Sequence, residues 1–311
     1  MLGISSGLMY GGAPQQDTAF RTTWDTRNLK YQTVDGEPTS TVLSSAIDTI
    51  VLPITGAGGL DFTVWWGDPA NTSTHVTAVG ADTTFTYDDP GIYTIVIEGV
   101  IGDRWQGTST VGKQDELKLT NISNWGSFTT GDLAYVFHLC SNMTCTATDS
   151  LTVGGFTLSY LFKNCTSMTA VNTSDWDMSG VTHMDHAFGY CSSLVAVDAS
   201  NWETSSFTEI RSCFRSCTNL ETLDVSSWDM SSVRDMEYFF QSCTSLVDAS
   251  TTPTTPALDV SGWRFQSHTS FNEVSLKSLF ASCTGLKVLD VSNWTTSGVD
   301  NMNNLFAGCT G

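Results

Sequence analysis

The chain has 311 residues, of which 13 are basic and 32 acidic, for a formal net charge of −19. So few Lys and Arg argue against nucleic acid as a partner, because phosphates need basic neutralisation, and leave no basic patch for anionic lipid. Ser, Thr, Gly and Asn abound while only 14% of residues are charged, a balance that fits exposed, secreted or virion proteins better than cytosolic enzymes. No window approaches 18 uninterrupted apolar residues, so no transmembrane helix and no membrane insertion are expected.

Residues 1–17, beginning "MLGISSGLMYGGAPQQ", carry no Lys or Arg before a short apolar run broken by Gly and Ser. That is a poor secretory signal, and the segment reads as an N-terminal arm or docking piece. No cysteine precedes Cys140, so lipid attachment to an N-terminal cysteine is not expected. Gly3-Ile4-Ser5-Ser6-Gly7 matches GxSxG in form. With neither a strand before it nor a helix after it, the match lacks the context of a nucleophile elbow.

Residues 18–103 read as short alternating strands parted by Gly, Pro, Asn and Asp turns, as in "LDFTVWWGDPANTSTHV" and "TFTYDDPGIYTIVIEGVIG". The spacing from Trp66-Gly67-Asp68 to Tyr87 and on to Pro90-Gly91-Ile92-Tyr93 resembles the polycystic-kidney-disease-type immunoglobulin-like domains. The resemblance implies a seven-stranded β-sandwich acting as a spacer. Asp68, Asp88 and Asp89 are expected as turn formers, with Ca2+ binding in these loops as the alternative; no other cofactor is expected.

Residues 104–124 are expected as a connector and first-repeat cap, ending in "KLTNISN". From 125 to 311 the text repeats. Trp176, Trp202 and Trp228 lie 26 residues apart, and Trp263 and Trp294 follow after 35 and 31. A fixed period of this size is the mark of stacked repeats. Counting from Trp228, apolar residues fall at Val233, Met236, Phe240 and Cys243, a 3-4-3 spacing that predicts one face of a helix. Alternation before each tryptophan, as in Leu223/Val225, Leu258/Val260 and Leu289/Val291, predicts a half-buried strand. The expected architecture is mixed β and α/β: an immunoglobulin-like sandwich, then a leucine-rich-repeat solenoid with a parallel sheet and helices on the convex side.

"LDVSSWDMSSVRDMEYFFQSCTSL" and its copies resemble the BspA-like, Treponema-type leucine-rich repeats of bacterial surface proteins. "FRTTWDTRN" with "IVLPITGAGGLDFTVWWGD" is similar to the leader of the same proteins. The array stops at "AGCTG", in the middle of a repeat, so it is expected to continue or to be covered by another chain.

Cys191, Cys217, Cys243, Cys283 and Cys309 share one repeat position. They are expected as small buried apolar residues, either all free thiols or with one or two disulfides among them. Their spacing matches no zinc pattern, and no metal site is expected. His183 and His186, flanking Met184, are expected on a solvated helix face. Trp176, Trp202, Trp228, Trp263 and Trp294 are expected as a buried ladder rather than as stacking platforms for sugars. Asp198, Asp224, Asp259 and Asp290 share an outward strand slot. With strands roughly 4.8 Å apart, they form an acidic stripe that either bonds to neighbouring coils or recognises a basic partner or Ca2+.

No nucleophile, base and orienter group together, so no enzymatic activity is expected. The expected role is adhesion or structure on an exposed surface. One reading is a phage or virus fibre, decoration or tail-associated appendage on the virion. The others are a bacterial cell-surface adhesin and a purely structural module bridging subunits. Expected partners are a protein or glycan on a cell surface or other virion subunits, within a homo-oligomer or larger assembly.

Overall fold

The computed structural model describes residues 18–29, 31–34, 37–42, 44–54, 60–77, 83–100, 105, 115–128, 133–247, 258–266 and 274–310. The N-terminal arm with its Gly3–Gly7 motif, and most of the connector, lie outside the described residues.

Ten strands occupy the first half: β1 (Phe20–Asp25), β2 (Tyr31–Val34), β3 (Glu37–Val42), β4 (Thr49–Val51), β5 (Asp61–Trp65), β6 (Ser73–Val76), β7 (Thr84–Thr86), β8 (Ile92–Val100), β9 (Leu119–Asn124) and β10 (Thr144–Cys145). Six of them form one sheet in the order β10-β9-β1-β8-β5-β6, while β2–β3 and β4–β7 are separate two-stranded ribbons. Alternation decides which side chains go inward. In β1, Phe20, Thr22 and Trp24 are buried while Arg21, Thr23 and Asp25 are not, as period-2 geometry requires. The buried Thr22 hydroxyl accepts the Trp24 indole N–H at 2.9 Å, so neither polar atom is stranded. Gly67, at φ +73°, lies where any Cβ would meet the Thr94 carbonyl oxygen at 2.3 Å. Only glycine allows that turn and that approach.

The sheet does not stop with this region. β9 pairs antiparallel with β1, and β10 pairs parallel with β9. Phe20 of β1 packs against Trp105, Trp125 and Phe128 with ring centroids 5.6, 6.1 and 4.3 Å away. Trp125 then meets Phe137 at 5.6 Å. One apolar core thus runs from the N-terminal strands into the repeats. A buried polar node pins the join. The Lys118 ammonium donates to the carbonyls of Ser45, Ala46 and Thr49 at 3.2, 2.9 and 2.7 Å. Asp115 lies 3.3 Å from it and accepts the backbone N–H of Ser45 and Val51 at 2.8 and 2.9 Å.

Beyond this join the chain stacks in rungs. Isolated parallel bridges link Thr157, His183, Glu209, Asp235 and Ser275 in succession. Two short parallel pairs accompany them, β11 (Ala196–Val197) with β12 (Thr222–Leu223) and β13 (Val274–Ser275) with β14 (Val299–Asn301). Phenylalanines stack through the centre, with centroid separations of 5.6 Å for Phe162–Phe188, 5.1 Å for Phe188–Phe214 and 5.7 Å for Phe240–Phe280.

The expected helices are absent: no α-helix occurs among the described residues. The leucine-rich-repeat solenoid with convex helices is therefore overturned, and the described chain is all-β with small sheets and turns. An immunoglobulin-like sandwich is not established either, since the main sheet extends past that region to take in β9 and β10. The physical reason lies in the turns. Where 184–191 was expected to coil as a helix, alternate amides leave the rung. Met184, His186, Phe188 and Tyr190 donate to Glu209, Arg211, Cys213 and Arg215 of the next, at 2.8, 2.8, 2.9 and 2.7 Å. The intervening amides close tight turns, Ala187 to Met184 at 3.0 Å and Cys191 to Phe188 at 3.1 Å. Two residues per rung take left-handed backbone, such as His186 and Tyr190 at φ 54° and 64°, or Ser212 and Ser216 at 55° and 58°. Each costs about 1–2 kcal/mol in a non-glycine residue. The four hydrogen bonds to the next rung, at about 1 kcal/mol each, offset it.

Candidate functional site

The acidic slot found in the sequence is built by local turns. Asp198 Oδ1 accepts the Ser200 hydroxyl at 2.6 Å and its N–H at 3.2 Å. Asp224 accepts the same two groups of Ser226 at 2.6 and 3.1 Å. Asp259 and Asp290 each accept a serine N–H two residues on, from Ser261 and Ser292, both at 2.9 Å. Asn172, one rung earlier, does likewise with Ser174. These are Asx turns, and bonding to Ser292 holds the Asp290 carboxyl below the usual carboxylate range. The bonds run within a rung, to the residue two on. Asp198 and Asp224 flank a shallow hollow with Ala196, Val197, Ser200 and Thr222.

The tryptophans are buried and stacked: Trp176–Trp202 and Trp202–Trp228 at 5.7 Å, Trp263–Trp294 at 5.9 Å. Trp294 is the more open one. All nine cysteines are free. Cys191, Cys217, Cys243, Cys283 and Cys309 each donate a thiol hydrogen to a phenylalanine carbonyl of the preceding rung, at 3.0–3.1 Å. A small donor fits the slot, which a purely apolar residue would not satisfy. Burial pushes the Cys191 and Cys283 thiols up to about 12, far from the thiolate needed for reactivity.

The two histidines part company. His183 is exposed, with Nδ1 2.7 Å from the Thr182 hydroxyl. His186 stacks on Tyr160 at 5.1 Å, and burial, helped by Lys163, Arg215 and Arg211, lowers its pKa to about 4. In the N-terminal region Asp68 accepts the Thr72 N–H and hydroxyl at 2.7 and 2.8 Å, a turn-forming use of its carboxylate. It lines a hollow of about 400 Å³ with Phe85, Tyr87, Asp88, Asp89 and Tyr93. Among the described residues, no three His, Cys, Asp or Glu side chains converge to hold a metal ion.

Sequence reasoning missed the most organised surface feature. Tyr135 stacks on Tyr160 at 4.4 Å, and Tyr160 on His186. Lys163 lies 4.8 Å from the Tyr160 ring centre and 5.8 Å from that of Tyr190. Arg215 bridges Tyr190 and Tyr238 at 5.6 and 5.2 Å. Arg211 and Lys277 approach the Tyr238 ring at 5.0 and 5.4 Å. Beside this strip run Asp185, Glu209 and Asp235, whose carboxyls are raised chiefly by burial. Arg211 pairs with Glu237 at 3.0 Å and with Asp235 at 3.8 Å. Sorting the basic residues by repeat slot would have exposed the strip. Weighing only their total hid it.

The described geometry is a stack of rungs that holds outward residues in rows, one per rung, over an inert core. No curated protein and no solved structure matches the chain. A family model described as "Mycoplasma protein of unknown function, DUF285" matches residues 156–275 and 274–311, which is the rung stack from Phe156 onward. The match is compatible with a BspA-like repeat protein. Since it spans half of the sequence, the chain belongs to the DUF285 family.

Proposed function

We propose that this chain is an exposed, non-enzymatic adhesion or structural protein whose rung stack binds a macromolecular partner. The observation that carries the reading is the set of in-register rows. Successive rungs hold His183, Glu209 and Asp235 in parallel bridges and interleave tyrosines with cations. A rigid surface that repeats from rung to rung suits an extended partner. Membership of DUF285 supports a surface-associated repeat protein. The buried, protonated thiols offer no nucleophile.

The carrier we infer is a phage or virus particle, with the chain serving as a fibre, decoration or tail-associated appendage. Its Ser- and Thr-rich composition, with only 14% charged residues, supports that location. The partner is then a cell-surface protein or glycan, or another subunit of the particle. A second reading, a bacterial cell-surface adhesin, draws on the family's description as a Mycoplasma protein. Immuno-electron microscopy of the native source with antibody against residues 133–247 separates the two. Label on particles is the expected result, and label confined to the cell envelope moves the protein to the cell surface.

A further inference from the structure

We propose that the tyrosine–cation strip across the rungs binds an anionic polysaccharide carrying about one carboxylate or sulfate per disaccharide. The inference rests on the recognition role proposed above and names its face and ligand class.

Four of the chain's 13 basic residues, Lys163, Arg211, Arg215 and Lys277, gather on this strip. They interleave with Tyr160, Tyr190 and Tyr238 rather than spreading over an otherwise acidic surface. Their placement alternates. Cations stand on the rungs of Thr157, Glu209 and Ser275, while the rungs of His183 and Asp235 between them carry rings, His186 with Tyr190 and then Tyr238. Rungs repeat at roughly the spacing of β-strands, about 5 Å, so cationic positions recur at about 10 Å. That is comparable to one disaccharide of a linear chain. The tyrosine rings, covered by their neighbours along the stack, hold the cations apart at this spacing, and Arg215 offers the fork that matches a carboxylate or sulfate.

Two further observations point to an anion of sparse charge. Burial and the neighbouring Arg215 depress the Lys163 ammonium, so these like charges share a strip that an anion relieves. Asp185, Glu209, Asp235 and Glu237 edge the strip and repel a densely charged polymer such as nucleic acid. Within the strip, Ser212 takes the slot that holds His186 on the preceding rung and Tyr238 on the next. Its buried hydroxyl and the His186 Nδ1 have no hydrogen-bond partner among the described residues. The small side chain interrupts the row of rings between two cationic neighbours, Arg211 and Arg215.

The test is calorimetric titration of the full chain with hyaluronan oligosaccharides, which carry one carboxylate per disaccharide. Neutral dextran, poly-glutamate and single-stranded oligothymidine serve as the other arms. Binding of hyaluronan but not dextran, weakened by salt, is the expected result. The Lys163→Gln/Arg215→Gln variant should lose affinity by about ten-fold or more, as loss of charge-assisted hydrogen bonds does. Arg264→Gln, on an exposed loop, should lose none. A circular dichroism spectrum unchanged from wild type shows that the double variant is folded. Should that spectrum change, the single Lys277→Gln variant takes its place, with a weaker loss expected. Absence of hyaluronan binding overturns the proposal. So does equal or tighter binding of poly-glutamate or oligothymidine, or undiminished binding by the folded variant. If surface labelling succeeds while hyaluronan fails, the recognition role stands and this ligand does not.

Discussion

The N-terminal sheet and the rung stack bury the same kinds of side chain by opposite backbone means. In β1, β5 and β8 an extended chain sends every second residue inward, and antiparallel neighbours satisfy its amides. In the rungs the chain turns every few residues, alternate amides bond to the next rung, and the strands that remain, such as β11 and β12, are two or three residues long. Core residues in both regions are almost fully buried. What differs is how the backbone groups find partners. The sheet needs strand pairing over five or six residues, while the rungs need a neighbouring rung at every turn. A sheet strand is therefore stabilised by elements distant in the chain, and a rung by the copies on either side of it.

The comparison is most strongly tested where the two regions join. If β9 and the Lys118–Asp115 node make them one cooperative unit, Lys118→Ala should lower the unfolding free energy by about 3–5 kcal/mol, the cost of leaving a buried charge unpaired. Calorimetry should show one transition moving as a whole. Two transitions, with only one shifted, would separate the regions. Within the stack, Cys217→Ala removes the donor to the Phe188 carbonyl and should cost about 1 kcal/mol in denaturant titration. Loss of nothing would mean that the slot asks only for small size.

A smaller effect discriminates turn from helix. Ser216 sits at φ 58°, so Ser216→Gly should stabilise the fold by up to about 1 kcal/mol by relieving a left-handed residue. In a helix the same change would destabilise by a similar amount. The sign of the shift in denaturation midpoint decides between them.

The smallest effect concerns pH. His186 lies against Tyr160 near Lys163, Arg211, Arg215 and His138, and its pKa in the folded chain falls from 6.5 to about 4. The unfolded chain therefore takes up this proton first, and the stability it contributes is lost as pH falls from about 6.5 towards 4. Asp185, Glu209 and Asp235, with carboxyls raised in the fold, act in the other sense on acidification. Replacing the imidazole isolates its share. His186→Tyr, the residue at this slot in two earlier rungs, should flatten the acid side of the stability profile. An unchanged profile would show that the imidazole stays solvated.

Part of the site was legible and part was not. The Asp198, Asp224, Asp259 and Asp290 slot could be read from one repeat aligned on the next. Its use in Asx turns depends on serines two residues on, which were equally visible. The tyrosine–cation strip was not read, because its members occupy slots that vary from rung to rung: Tyr160, His186, Ser212 and Tyr238 are one slot in four rungs. Variation at a slot looks like noise until stacking puts those residues side by side.

The amino-acid sequence by itself determined the 26-residue period, the inward set of Trp, Phe and Cys, and the alternation of β1 and β5. Burial of apolar surface depends only on which residues point inward, and spacing along the chain records that. Tertiary structure alone decided the path of the backbone between those residues. A 3-4-3 spacing of Val181, Met184, Phe188 and Cys191 is compatible with a helix, whose amides bond four residues back. It is equally compatible with turns at His186 and Tyr190 whose amides bond to the next rung. Local spacing cannot choose between them, because the partner carbonyls belong to another rung and exist only once the rungs have stacked.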